Sequence, residues 1–238
     1  MSEPQRATEA RPGRTELIGI VDHDRGVPRK VTNQILTKAR ELAAGMQATL
    51  AAVAFGEHAS KCAEPLGAYG ARKLYVWDDA LAVNYVSLPM VDALERIFST
   101  SRARTLLFPS SNFLKDVAAR LAVRLEAGII VDASDLELSD GEIIVTKEVF
   151  GGVTITRSRV TGSRPALIGV NPNAFVAEES GGDVPEIVAL EIELSRAAER
   201  ARVVERVVQL EGHRPDVSEA AIVVAGGRGL GDASGFEL

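Results

Sequence analysis

TLLFPSSNFLKDVAARLAVRLEAGIIVD, residues 105–132, decides the fold class. Thr105–Pro109 is a short apolar run of the kind that forms a strand buried on both faces. Val117, Ala118, Leu121 and Leu125 then recur at three- and four-residue spacing, which marks one face of a helix. Gly128–Asp132 (GIIVD) is a second apolar run. Strand, helix and strand in that order imply parallel strands joined by a crossover. Upstream the same alternation repeats. Leu17–Asp22 (LIGIVD) precedes a helix striped by Val31, Ile35, Leu36, Ala39, Leu42 and Ala43, and Thr49–Phe55 (TLAAVAF) precedes a weaker one over Ala59–Leu66. Gly70 marks the turn before Lys73–Trp77 (KLYVW), which leads to a helix carrying Leu88, Val91, Leu94, Ile97 and Phe98. Downstream the pattern changes. Glu142–Val149 and Val153–Val160 flank Phe150-Gly151-Gly152 and alternate polar with apolar residues, as an antiparallel hairpin with one wet face does. Ala166–Val170 and Glu186–Leu194 read as further strands, and Ser195–Gly212 is compatible with helix or extended chain. The expected fold is α/β, a three-layer α/β/α domain with a mostly parallel sheet plus an antiparallel hairpin portion.

The 238 residues include 27 Lys+Arg and 33 Asp+Glu, a formal charge of −6, with 46% hydrophobic and 25% charged residues. That is ordinary globular composition, long enough to bury a core without staples. No basic excess exists to neutralise phosphates, which argues against nucleic-acid binding. A lone Cys62 allows no intrachain disulfide and fits a reducing compartment. No apolar run approaches the roughly 20 residues that span a bilayer, so membrane insertion is not expected. Residues 1–16 lack an apolar signal core, and Glu3, Glu9 and Glu16 offset Arg6, Arg11 and Arg14. They read as a disordered polar tail, and the expected location is the bacterial cytoplasm.

Candidate chemistry is sparse. Asp22-His23-Asp24 follows the first strand, where ligands of open α/β sheets bind. His58 and His213 lie in unrelated contexts, so a polar loop capping the next helix is the simpler reading. Ser110-Ser111-Asn112 suits an anion or a helix cap equally in residue type. Cys62 sits in an Ala-rich setting and reads as core rather than nucleophile. Gly152, then nine intervening residues and Gly162-Ser163, half-matches a nucleotide-binding spacing but falls on the hairpin. No Ser/His/Asp arrangement, Walker loop or zinc spacing appears. Near the C-terminus an apolar run, Ile222–Ala225, reads as a buried strand leading into Gly226-Gly227-Arg228-Gly229-Leu230-Gly231. Glycines there let backbone N–H groups approach an anion, and Arg228 adds a guanidinium suited to phosphate. As a dinucleotide fingerprint it is imperfect, because Ser234 stands where Gly or Ala belongs.

His213-Arg214-Pro215-Asp216-Val217, then the strand, then Gly226-Gly227-Arg228-Gly229, resembles the domain junction of the electron transfer flavoprotein α-subunit family. The resemblance extends through Thr105–Leu138, Phe150-Gly151-Gly152 and Pro172-Asn173-Ala174-Phe175. Ala225 departs from the family's usual Ser, and Asn171 stands where Arg is frequent. The resemblance implies an electron carrier rather than an enzyme. Such a carrier is a heterodimer with a β-subunit, holds FAD mainly in a C-terminal domain, and passes electrons from acyl-CoA and other dehydrogenases to a quinone oxidoreductase. AMP in this family belongs to the β-subunit. Gly226, Gly227, Arg228 and Gly229 are the cofactor-binding positions carried over, with no catalytic or metal residue. The implied domains are a tail (1–16), the α/β domain (17–195), a linker (196–216) and the start of the FAD-binding domain (217–238). The family's later flavin motifs are not among these residues, so FAD is expected in the complete subunit and not to be retained by this chain alone. The competing expectation is a stand-alone nucleotide-binding or interaction domain without redox activity, using the loops after Asp22 and Pro109.

Overall fold

The structure, a computed structural model, describes residues 15–79, 81–82, 86–205, 207 and 222–237. Most of the tail, part of the linker and His213–Val217 therefore lie outside the described residues. The chain divides into two compact units, Met1–Val204 and Glu205–Leu238.

In the first unit β1 (Glu16–Ile20) leads through a two-residue pair, β2 (His23–Asp24) and β3 (Val27–Pro28), into α1 (Lys30–Gly45). β4 (Thr49–Phe55) follows, then a 3-10 turn (Ala59–Cys62), α2 (Ala63–Gly67) and β5 (Lys73–Trp77). The expected Ala59–Leu66 helix is thus split by a change of helix type. α3 (Ser87–Thr100), β6 (Ala103–Pro109), α4 (Asn112–Leu125) and β7 (Gly128–Ala133) complete the alternation. Three antiparallel strands come next, β8 (Asp135–Ser139), β9 (Glu142–Val149) and β10 (Thr154–Ser158), before β11 (Ala166–Val170) and β12 (Glu186–Ala189).

Seven strands form one sheet in the order β12-β5-β4-β1-β6-β11-β7, and every pairing in it is parallel. β11 lies between β6 and β7, so the two strands of the opening β-α-β unit are not neighbours. Burial on both faces explains the continuous apolar runs: Ala51, Ala52, Val53 and Ala54 of β4 are all fully buried. Leu36, Leu42, Ala59, Cys62 and Leu66 pack on one face of the sheet with Leu136 and Val145 of the antiparallel strands. Val91, Leu94 and Ile97 of α3 and Val117 and Leu121 of α4 cover the other. The fold is a three-layer α/β/α domain, as expected from the alternation.

The hairpin forms with β9 and β10 in register (Thr154↔Val149 to Ser158↔Val145), and β8 adds a third strand against β9. Leu138 packs closely over Gly45, where a Cβ would fall 2.5 Å from Leu138 Cδ2 and the leucine would have to shift. β12 is shorter than the run Glu186–Leu194. Leu190, Ile192 and Leu194 leave the sheet and pack against the second cluster. The connection from β11 to β12 runs along α1. The Asn173 N–H donates to Gln34 Oε1 (3.1 Å), Glu178 N–H to Thr37 Oγ1 (3.0 Å), and Arg40 to the Glu178 carbonyl (3.0 Å). Of the ambiguous Ser195–Gly212 stretch, only Ala198–Arg200 is helical (a 3-10 turn), residues 201–205 are irregular, and most of the remainder lies outside the described residues.

Candidate functional site

Strand order places a topological switch at β1, with β4 on one side and β6 on the other. The crevice at their carboxyl ends is the usual ligand position in such a sheet. Here its loops are bonded mainly to one another. The buried Thr32 hydroxyl accepts from the Asp22 N–H (2.8 Å) and donates to the Asp22 carbonyl (2.7 Å), while the Asp22 carboxylate lies 3.6 Å from Arg29 Nε. Thus the Asp22 backbone is tied to the helix, but through Thr32 rather than through a side chain of the Asp22–Asp24 loop. His23 Nε2 faces the Phe55 carbonyl at 3.0 Å, and Gly26 N–H meets Nδ1 at 3.2 Å. A carbonyl only accepts, so Nε2 is the donor of that pair. His58 is engaged elsewhere, its N–H donating to Asp78. Among the described residues no cluster of His, Cys, Asp and Glu is arranged to hold a metal. Replacing Thr32 by Val keeps the shape and orphans the Asp22 N–H, while the Asp22 carbonyl keeps the Arg29 N–H at 2.8 Å. The expected loss is about 1–2 kcal/mol, read as a lower urea midpoint with unchanged slope.

Ser111 caps α4, its hydroxyl accepting from Leu114 N–H at 3.2 Å. Ser110 Oγ instead accepts from the N–H of Asp132, a left-handed residue at φ 62°. The Asp132 carboxylate reaches Lys115 Nζ (2.5 Å) and Lys147 Nζ (3.6 Å). Burial works to raise the Asp132 carboxyl, but the Lys115 hydrogen bond and the two ammonium charges outweigh it and hold the group below its ordinary value. These long-range partners carried no local signal in the sequence.

The four carried-over positions lie in the second unit, contiguous in one turn. Gly227 precedes a 3-10 turn over Arg228–Leu230, and Gly231 follows at φ 76°. Leu230 and Gly231 donate to the carbonyls of Gly227 and Arg228, both at 3.1 Å. Asp232 holds the next turn, accepting from Ser234 N–H (2.9 Å) and Oγ (2.6 Å), and these bonds lower its carboxyl pKa. The N–H groups of Gly227, Arg228 and Gly229 meet no acceptor among the described residues. Gly226 is covered: a Cβ there would lie 2.2 Å from Leu230 Cδ1 and 2.4 Å from Phe236 Cζ. Gly227 and Gly229 have nothing within 4 Å of a built Cβ. The turn thus offers three successive donors and a guanidinium on an open face, a fit for an oxyanion such as a phosphate. Ile222–Ala225, which reads as a buried strand, is irregular here, with Ile222 85% and Val224 77% exposed. No neighbouring strand among the described residues pairs with it, and an apolar run alone does not make a strand.

The profile of the electron transfer flavoprotein domain matches residues 18–207. The chain belongs to the electron transfer flavoprotein family. Its α-subunit character rests on curated relatives. It is 31% identical over 226 residues to the electron transfer flavoprotein subunit alpha of Mycobacterium leprae, and 33% identical over 224 residues to that of Mycobacterium tuberculosis. Each alignment takes in 94% of this chain and 67% of the relative. The subunit alpha of Syntrophomonas wolfei is 29% identical over 219 residues, 92% of this chain and 67% of its own length. The chain therefore spans about two thirds of the length of these electron transfer flavoprotein relatives. No helix among the described residues is long and apolar enough to cross a membrane.

Proposed function

We propose that the protein acts as the α-subunit of an electron transfer flavoprotein, paired with a β-subunit. In this reading it passes electrons from acyl-CoA or other dehydrogenases to a quinone oxidoreductase in the bacterial cytoplasm. It is a carrier with no catalytic constellation of its own. What supports the reading is the family match across the α/β domain, joined in one chain to the donor-rich turn Gly226-Gly227-Arg228-Gly229. FAD, when bound in the complete subunit, supplies the electron-carrying group. The N–H groups of Gly227, Arg228 and Gly229 would hold its phosphates, with the Arg228 guanidinium balancing their charge. We assign residues 17–195 to the α/β domain, 196–216 to the linker and 217–238 to the start of the flavin-binding domain.

A dinucleotide site needs many convergent contacts, and residues 1–238 supply one turn of it. The polypeptide of residues 1–238, purified alone, is expected to show no flavin absorbance, yet to co-elute 1:1 with a co-expressed electron transfer flavoprotein β-subunit. Stoichiometric flavin on the isolated chain would overturn the first expectation. Separate elution of the two chains would overturn the subunit reading.

A further inference from the structure

We propose that the cleft between Arg40 and Arg72, at the amino edge of the sheet, binds a phosphate-class oxyanion carried by a small molecule. The cleft measures about 510 Å³ and lies beside Thr49 at the start of β4, at the end of the sheet opposite the loops described above. Its floor is formed by Ala43, Ala44 and Leu50, and its far wall by the loop Ser180–Asp183.

Three features make it an anion site. Arg40 is held in place, its Nη1 donating to the Glu178 carbonyl (3.0 Å) and to Ser180 Oγ (2.9 Å), while a guanidinium has five donors to offer. Arg72 has a fixed backbone, its N–H on the Leu50 carbonyl and its carbonyl on the Glu186 N–H, yet its side chain forms no ion pair with any described residue. The wall presents main-chain donors: the N–H groups of Gly181, Gly182 and Asp183 meet no acceptor among the described residues. Gly181 sits at φ 67°, the left-handed conformation that turns successive N–H groups towards one side. The loop is pressed on the end of α2. A Cβ on Gly182 would lie 2.5 Å from the Gly67 carbonyl oxygen, and one on Gly67 would lie 2.5 Å from that of Asp183. Glycine at both positions is what seats the donors.

Two opposing charges are outweighed. Asp183 also lines the cleft, one carboxylate against two guanidiniums. The negative end of α1 points this way, but the carbonyls of Leu42, Ala43 and Ala44 are taken by the N–H groups of Met46, Ala48 and Gln47. Paired guanidiniums with backbone N–H donors match the planar and tetrahedral faces of a phosphate better than a halide.

The test is an NMR titration of the full chain with inorganic phosphate and then pyrophosphate, at constant ionic strength set with chloride. Saturable shifts are expected at the amides of Gly181–Asp183 and at the Arg72 Nε–H. Arg72→Gln, an exposed change that leaves the fold intact, is expected to weaken binding about tenfold, the loss of one charge-assisted hydrogen bond. Arg72→Lys, which keeps the charge without the fork, should fall between. Shifts that never saturate, that spread over the lysines of the surface, or that survive Arg72→Gln unchanged would mean an adventitious ion only and would overturn the site. None of these readouts depends on flavin or on a partner subunit.

Discussion

Native protein treated with a thiol reagent at pH 8 is expected to modify Cys62 about a thousandfold more slowly than the same protein in denaturant. The residue is fully buried beneath α1 and α2, and burial, with a smaller contribution from the charge of Asp78, pushes its thiol from 9.0 up to about 12. The thiolate is the reacting species, so a rise of that size lowers its population at pH 8 by about a thousandfold. Exclusion of the reagent adds to this. Modification therefore proceeds through opening of the α2 segment, and its rate should rise with urea in parallel with local unfolding. The measurement is the release of a chromophoric disulfide reagent with and without denaturant. Similar rates in the two states would show that the Cys62 environment is open in solution.

Asp92→Ala is expected to cost about 3 kcal/mol of folding stability. Asp92 lies on α3 and is only 8% exposed. One oxygen accepts from Arg124 Nη1 of α4 at 2.6 Å, and the other from the N–H of Ser195 at 2.8 Å. A single carboxylate thus ties two helices to the segment that leaves β12. Its removal orphans the Ser195 amide and leaves the partly buried Arg124 guanidinium with only the more exposed Glu95, and the cost is that of the lost partners rather than of one bond alone. Glu95 provides the control, since it contacts the same Arg124 Nη1 at 2.6 Å but is 42% exposed. Solvent screens such a pair, so Glu95→Ala should cost under about 1 kcal/mol. Urea midpoints of the two variants decide the matter. Equal losses would contradict a distinct role for the buried carboxylate.

Strands buried on both faces were the legible part of the fold. Thr49–Phe55 and Lys73–Trp77 match β4 and β5 residue for residue, because an uninterrupted apolar run has one physical use at that length. β8 escaped notice. DLELS is short and half polar, and it becomes a strand only through pairing with β9 and packing of Leu136. The place of β11 between β6 and β7 is a property of the assembled sheet and leaves no trace in local spacing. The failure at Ile222–Ala225 is the converse case, strand composition without a described neighbour. At the candidate site, the glycines around Arg228 were readable because conformational freedom is a local property. The Thr32–Asp22 and Ser110–Asp132 bonds were not, since side-chain partners set by tertiary structure have no periodicity.

The connection along α1 carries a metric consequence. Residues 171–185 leave β11, pass β6, β1, β4 and β5, and deliver β12 to the far edge. The lateral distance is five strand spacings, about 24 Å, and the descent along the strands adds about 17 Å at right angles to it. The path must also climb over a helix about 10 Å across. The two legs combine to about 29 Å before the climb is added, and the same residues fully stretched reach about 54 Å, so the slack is finite. Trimming more than about half of these residues would therefore not behave as ordinary loop shortening: the sheet would be six strands wide, because the chain could no longer reach its seventh place.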